Sequence, residues 1–243
     1  MKIAIIGHGN MGRMVELEAK KLSIPISRII NSFDDMLMAN FKRDEIAIDF
    51  TEPSCFMQNL SILSSRGISI VCGTTGWHDK IQQVKHIIQK NNIGFIYSSN
   101  FSLGVNIFWH IIDKASKMMN KFEEYDVIVH EMHHNKKKDS PSGTALTTSN
   151  IVIKNIDRKN EIFLSEFRRQ IKPWELYLSH SRCGSIIGNH EVFFDSEVDS
   201  ISISHKSKGR SSYAIGAIRC AHWIKNKKGF YNIKDYMENI LYE

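Results

Sequence analysis

The stretch Glu131-Met132-His133-His134-Asn135-Lys136-Lys137-Lys138-Asp139-Ser140-Pro141-Ser142-Gly143-Thr144-Ala145 gathers two imidazoles, a run of ammonium groups and a helix-start signal. A general acid that titrates near neutrality, with a cationic donor beside it, is what reduction of a carbonyl or imine requires. On a strand, Glu131 and His133 share one face while Met132 and His134 share the other, so the two histidines serve different surroundings, one at the sheet edge and one in a cleft. Ser142 has the chemistry of an N-cap. The backbone N–H groups of Gly143 and Thr144 then open a helix and form an anion site suited to a carboxylate, with lysines one turn away to reinforce it. Three other readings compete, the first being that the paired histidines are structural. His130-Glu131-Met132-His133 is one residue short of the zinc motif H-E-x-x-H and falls in a strand, which argues against a metal. Lys136 to Lys138 also fit a solvated loop or a nucleic-acid patch, but no aromatic residues interleave with them, so no nucleic-acid partner is expected.

A second constellation lies at the start of the chain. Gly7-His8-Gly9-Asn10-Met11-Gly12 is G-x-G-x-x-G between an apolar β-branched run and a helical stripe. The first glycine permits the tight turn, the second lets backbone approach a pyrophosphate, and the third lets helix pack on strand. The helix N-terminus supplies N–H donors for the phosphates. The end of the second strand, where the adenosine ribose is read, falls near Ser32, with Asp34 and Asp35 following and no Arg beside them, which leans toward NADH. Asp34 and Asp35 also read as a solvated loop or a helix cap.

The elements that must hold these groups follow from periodicity. Strands are expected at 2 to 6, 27 to 31, 46 to 50, 68 to 72 and 93 to 97, separated by helical stripes such as Met11, Met14, Val15, Ala19, Leu22 and Ile81, Val84, Ile87, Ile88. That alternation predicts a doubly wound parallel sheet, whose carboxyl edge is the ligand edge. A long amphipathic helix carries Ile107, Phe108, Ile111, Ile112, Ala115, Met118, Met119 and Phe122. Beyond it the period changes to two, with strands expected near 126 to 134, 162 to 168, 176 to 182, 190 to 194 and 200 to 205. Ala214, Ala217, Ile218, Ala221 and Ile224 give a helix that returns to the first domain. The fold class is therefore α/β: a Rossmann-type doubly wound parallel sheet over 1–102 plus 210–243, and a second α+β mixed-sheet domain over 103–209.

Composition bounds the function classes. The 243 residues are 42% hydrophobic and 24% charged, an ordinary globular balance, with 14 Gly and 4 Pro and no low-complexity tract. No apolar run approaches the roughly 18 residues of a membrane span, and the opening apolar run breaks at Gly7 and His8, so neither a membrane partner nor a signal peptide is expected. Cys55, Cys72, Cys183 and Cys220 lie far apart without a C-x-x-C pair and read as reduced, mostly buried thiols of a cytoplasmic protein. The net charge of +6 suits an anionic ligand. A non-enzymatic binding protein on a Rossmann scaffold and another two-domain dehydrogenase acting on an amino acid are the rival functions, and the His/Lys segment argues against both.

Taken together, Gly7 to Arg13, Ile48-Asp49-Phe50-Thr51, Gly73-Thr74-Thr75-Gly76, Asn100 to Asn106 and Glu131 to Ala145 resemble the 4-hydroxy-tetrahydrodipicolinate reductase family, also called dihydrodipicolinate reductases, of bacterial lysine and diaminopimelate synthesis. The likeness runs in order along nearly the whole chain. Its most specific part is E-x-H-H-x-x-K-x-D-x-P-S-G-T-A, met at every fixed position. Arg182-Cys183-Gly184, Gly188-Asn189-His190 and His205-Lys206 through Arg210 extend it. The resemblance implies a cytoplasmic homotetramer that reduces a small cyclic dicarboxylate with NADPH or NADH. It implies His133 as proton donor or acceptor, Lys137 as proton donor, and His134, Gly143 and Thr144 as substrate-binding groups. The cofactor residues it implies are Gly7, His8, Gly9, Asn10, Met11, Gly12, Gly73, Thr74, Thr75, Ser98, Ser99, Asn100 and Phe101, with no metal. Two features depart from the family: Asn31-Ser32-Phe33 lacks its acidic residue followed by Arg, and 168 to 176 lacks its glycine-rich pattern.

Overall fold

The computed structural model describes residues 1–164 and 169–242. Arg168, and the later part of the strand expected over 162 to 168, lie outside the described residues. In chain order the first elements are β1 (Lys2–Ile6), α1 (Asn10–Lys21), β2 (Ile26–Ile30), α2 (Phe33–Met38), β3 (Glu45–Asp49), α3 (Pro53–Ser65), β4 (Ser69–Cys72), α4 (Ile81–Asn91) and β5 (Gly94–Tyr97). There follow α5 (Leu103–Met119), β6 (Asp126–His133), α6 (Gly143–Asn155), β7 (Glu161–Phe163), β8 (Glu175–Arg182), β9 (Asn189–Asp195) and β10 (Ser200–Lys206). The chain closes with α7 (Ser211–Ile224), β11 (Gly229–Asn232) and α8 (Ile233–Tyr242). Two compact units result: Met1–Leu103 with Arg210–Glu243, and Gly104–Gly209.

The first unit is a parallel sheet in the order β11-β5-β4-β3-β1-β2. Its central strands are apolar on both faces because both faces are covered, as a parallel sheet requires. Ile3, Ile5, Ile46, Ile48, Val71 and Ile96 pack under Val15 and Ala19 of α1 and Ala217, Ala221 and Ile224 of α7. Ala4, Ile6, Ala47, Ile70 and Phe95 pack under Phe56, Leu60 and Leu63 of α3 and Val84 and Ile88 of α4. The small residues of α7 bring that helix very close to backbone: a Cβ on Gly216 would lie 1.8 Å from the Phe101 carbonyl oxygen.

The second unit is a mixed sheet in the order β10-β9-β6-β8-β7. β6 runs antiparallel to β9 and parallel to β8, and β9 is antiparallel to β10. Alternation along β6 puts Val127, Val129, Glu131 and His133 on its buried face. The apolar part of that face joins Phe108 and Ile112 of α5 and Ala145 and Val152 of α6 in one core.

Several expectations need correction. The apolar stripe assigned to α5 is too wide: Phe108, Ile112 and Met119 are buried, whereas Ile107, Ile111, Met118 and Phe122 are 43%, 45%, 65% and 49% exposed. The buried stripe instead includes Val105, Asn106 and Ser116, the last two being polar residues that a hydrophobicity pattern passes over. Cys72 and Cys220 are buried, but Cys55 and Cys183 are exposed. Ser32, rather than Asp34 or Asp35, caps α2: its side chain accepts the Asp35 N–H, and the two aspartates fill the helix's first turn. The elements α2, α3, β11 and α8 lie outside the sequence-based expectations; β11 is a four-residue edge strand half-exposed throughout.

Gly216→Ala is expected to destabilise the first unit by about 1–3 kcal/mol through overpacking against Phe101, read as a lower denaturant midpoint with an unchanged slope.

Candidate active site

At the carboxyl edge of the parallel sheet, the three glycines of the β1–α1 turn do three different things. Gly7 has φ +85°, a left-handed conformation that admits the turn. A Cβ on Gly12 would lie 2.0 Å from the Gly7 carbonyl oxygen, so α1 packs against the turn only because position 12 has no side chain. Around Gly9 nothing lies within 4 Å of where a Cβ would be. That open space faces the start of α1, which has neither a side-chain cap nor an acidic residue in its first turn. Its N–H groups are therefore available to an anion. Asn10 and Met11 begin the helix, with Met11 packed on the core. His8 donates its backbone N–H to Asn31 Oδ1 at 3.1 Å and places its imidazole 2.7 Å from Glu16.

A cavity of about 460 Å³ adjoins this turn, lined by Gly7 to Gly9, Ile30 to Phe33, Phe50 to Glu52 and Cys55. Its size suits a nucleoside. No Lys or Arg is among the lining residues. The adjacent loops are tied to one carboxylate: Asp49 Oδ1 accepts the Thr51 N–H at 2.8 Å and its hydroxyl at 2.6 Å, and the Thr74 hydroxyl lies 3.2 Å away. Asn59 donates to Oδ2 at 3.2 Å. Burial pushes the Asp49 carboxyl pKa up despite these hydrogen bonds. Among the expected cofactor residues, Gly9, Asn10, Thr75 and Ser99 are exposed and Gly73 half-exposed. Thr74, Ser98, Asn100 and Phe101 are buried and turn inward: the Ser98 hydroxyl bonds the Asn100 backbone, and the Thr74 carbonyl accepts from Trp77 Nε1 at 2.8 Å. These four shape the loops rather than line an open surface.

In the second unit, Glu131 lies at the centre of a buried cluster. It is fully buried, and His133 beside it has 8% of its side chain exposed. Glu131 Oε1 accepts the Ser142 N–H at 3.0 Å and Arg182 Nη2 at 3.2 Å. Oε2 is 3.2 Å from His133 Nδ1 and 3.6 Å from His190 Nε2, close approaches of which neither is a formed hydrogen bond. The Ser142 hydroxyl accepts the Ala145 N–H and contacts His190 Nε2 at 3.2 Å, which fixes the first turn of α6. Gly143 and Thr144 open that helix, where no intrahelical carbonyl reaches their N–H groups. Lys137 Nζ sits 2.7 and 2.8 Å from the two oxygens of the exposed Asp139. His134 follows β6 half-exposed, its carbonyl accepting the Lys137 N–H.

The second unit thus brings His133, His134, Lys137, Gly143 and Thr144 into one short span of structure, while the glycine loop, Gly73 to Thr75 and Ser98 to Phe101 belong to the first. Sequence reasoning did not single out Arg182 and His190 as partners of Glu131. The same-face spacing of Glu131 and His133 was a usable signal. The register that sets His190 opposite Glu131 and Arg182 opposite His133 was not. Glu131, His133 and His190 bring donor atoms within 4.8 Å of one another, the composition of a His2Glu metal set. The Arg182 guanidinium on the same carboxylate opposes a cation there, so the cluster reads as an ion-pair network.

Burial drives the His133 pKa down to about 4, against the opposing pull of Glu131 and with smaller downward contributions from His190, Lys137 and Arg182. Burial would raise Glu131, but the neighbouring His190 and the Ser142 donors, with a smaller contribution from His133, hold it at about 2. A histidine whose folded pKa is depressed costs nothing while neutral in both states and destabilises as the unfolded form takes up a proton. Folded stability should therefore fall as pH drops from 6.5 toward about 4, and fall further as the depressed Glu131 loses its advantage below 4.5. A midpoint for His133 near 6.5 in an NMR titration would contradict this.

Comparisons with known proteins bear on the same residues. The model of the dihydrodipicolinate reductase N-terminus matches residues 1–101, and that of its C-terminus residues 104–237. The chain is 34% identical over 243 residues to the 4-hydroxy-tetrahydrodipicolinate reductase of Christiangramia forsetii, covering 99% of each. It is 37% identical to that of Archaeoglobus fulgidus, covering 90% of this chain and 82% of the other. The fold is similar, with TM-score 0.74 and 20% identity over 97% of this chain and 98% of the other, to dipicolinate-bound dihydrodipicolinate reductase from Paenisporosarcina sp. TG-14. With both halves of the chain matched in order and relatives alike along almost its full length, the chain belongs to the 4-hydroxy-tetrahydrodipicolinate reductase family.

Proposed function

We propose that the unit over 1–102 plus 210–243 holds NADPH or NADH and that the unit over 103–209 holds 4-hydroxy-tetrahydrodipicolinate, which is reduced to tetrahydrodipicolinate with loss of water. The observation that carries the assignment of roles is the pairing, within the second unit, of the Gly143 and Thr144 N–H groups at the Ser142-capped start of α6 with His133 and Lys137. When bound, the reduced nicotinamide supplies hydride to the ring carbon from which water leaves.

The protein's own part is binding and proton handling. Gly7 to Gly12 and the start of α1 take the pyrophosphate, and Gly73 to Thr75 and Ser98 to Phe101 frame the rest of the cofactor. The N–H groups of Gly143 and Thr144 take one substrate carboxylate, with His134 beside them. A His133 held neutral by burial acts as a proton acceptor or hydrogen-bond donor, not as an imidazolium. Lys137 then serves as the acid that protonates the carbon next to the one receiving hydride. Its salt bridge to Asp139 holds Nζ in place before substrate arrives.

The cavity without Lys or Arg beside Ser32 favours a free ribose hydroxyl over a 2′-phosphate. We also infer a homotetramer, supported by the exposed Val198 and Ile201 at the β10 edge of the mixed sheet. A cytoplasmic setting fits four free thiols.

Lys137→Ala is expected to lower turnover by about 10²–10⁴-fold while coenzyme binding, made in the other unit, is unchanged. The readout is NADH absorbance, with substrate generated from pyruvate and aspartate semialdehyde by the preceding synthase. Undiminished turnover would remove Lys137 from its role. In the same assay NADH should show the lower KM, and a clear preference for NADPH would overturn the reading of the ribose end.

A further inference from the structure

Resting on the proton-handling role given to His133, we infer that Glu131 is a positioning residue: it fixes which His133 nitrogen carries the proton and couples that imidazole to the carboxylate-binding start of α6. The argument begins with two buried atoms. Glu131 Oε2 and His133 Nδ1 face each other at 3.2 Å, and neither has a formed hydrogen bond to any other group. A buried carboxylate oxygen and a buried ring nitrogen both carry a large penalty if left unpaired. Each is the other's nearest remedy, and the remedy works only with a proton on Nδ1. The lone pair of His133 is then on Nε2.

The surroundings of Nε2 agree with that assignment. It lies against Gly188, where a Cβ would stand 2.9 Å away. Any other residue there would crowd the nitrogen left to exchange protons; glycine leaves it approachable. Gly188 leads into β9, and its neighbour His190 stands edge-on to His133 with ring centroids 5.2 Å apart. The imidazole is thus located by a carboxylate on one nitrogen, a ring edge on one side and an empty glycine at the other nitrogen.

Glu131 reaches the substrate site through its second oxygen. Oε1 accepts the Ser142 N–H, and Ser142 caps the helix whose first two N–H groups are assigned to the substrate carboxylate. One rigid carboxylate therefore sets the separation between the proton-transfer nitrogen and the carboxylate anchor. The charged and titratable groups facing His133 are Glu131 on its own strand, His190 on β9, Arg182 on β8 and Lys137 in the following loop. Of these only Glu131 favours the protonated ring, so removing its charge should move the acid limb of kcat/KM to lower pH.

The deciding measurement is the tautomer of His133 in full-length protein, read from 15N imidazole shifts and their couplings to ring protons. The proposal expects protonated Nδ1 and bare Nε2 in the native chain; the opposite tautomer overturns it without any variant having to fold. Glu131→Gln should then release the tautomer, lower kcat by on the order of 10²-fold or more, as loss of a carboxylate that orients a catalytic imidazole does, and change KM much less. Glu131→Asp should restore part of the loss. A folded Glu131→Gln protein with native tautomer and kcat also overturns the proposal. If His133→Ala is itself fully active, the proton-transfer role of His133 fails, and the tautomer measurement still decides what Glu131 does.

Discussion

Placing an ionised carboxylate where no water reaches it is among the costliest acts in folding, and the second unit is arranged around meeting that cost at Glu131. Arg182 comes from β8, His190 from β9, and the Ser142 N–H from the start of α6. These groups reach the carboxylate only in one strand register, with Glu131 opposite His190 and His133 opposite Arg182. A slip of one residue along β6 would expose the carboxylate and bury Met132 in its place. The cluster therefore does for the register of this sheet what a purely apolar face, tolerant of repacking, does less strictly.

The first unit contains a second buried carboxylate that is handled in the opposite way. Among the described residues no cation pairs with Asp49; it receives two hydroxyls, one backbone N–H and one side-chain amide. Burial dominates and its pKa rises, whereas hydrogen bonds and nearby positive charge take Glu131 down to about 2. The two sites divide the work accordingly. At Asp49 neutral donors tie the loops after β3 and β4 together. At Glu131 the Arg182 guanidinium, the Ser142 N–H and the flanking imidazoles favour the ionised carboxylate and fix its orientation.

Much of this was legible in the residues. The parallel sheet shows as apolar runs at regular intervals, and the spacing of Gly7, Gly9 and Gly12 states three separate steric requirements that the backbone then meets. The Ser142 cap and the same-face pair Glu131 and His133 follow from periods of 3.6 and 2. What stayed hidden was non-local. Nothing near residue 190 says that its imidazole stands across from Glu131, and nothing near 182 says that its guanidinium reaches the same oxygen as Ser142. The width of the α5 stripe was misjudged because Ile107, Ile111 and Met118 are apolar without being covered, and apolarity alone does not name the neighbour. Short α2 and β11 escaped because tertiary contacts, not periodicity, hold elements of that length.

The order of the strands in the parallel sheet also matters before the protein is complete. β11 pairs with β5, and α7 covers part of one face of the sheet, yet both are translated only after all of Gly104–Gly209. The mixed sheet has its whole sequence translated first, while the parallel sheet still has a bare β5 edge and, over β3 to β5, a face lined by Ile48, Val71 and Ile96 that α7 has yet to cover. During that interval the nascent first unit is a template for wrong pairing, the condition under which chaperones engage a chain. Synthesis thus imposes an order of maturation on the two units: the one assigned to substrate is finished early, and the one assigned to coenzyme waits for its last helices.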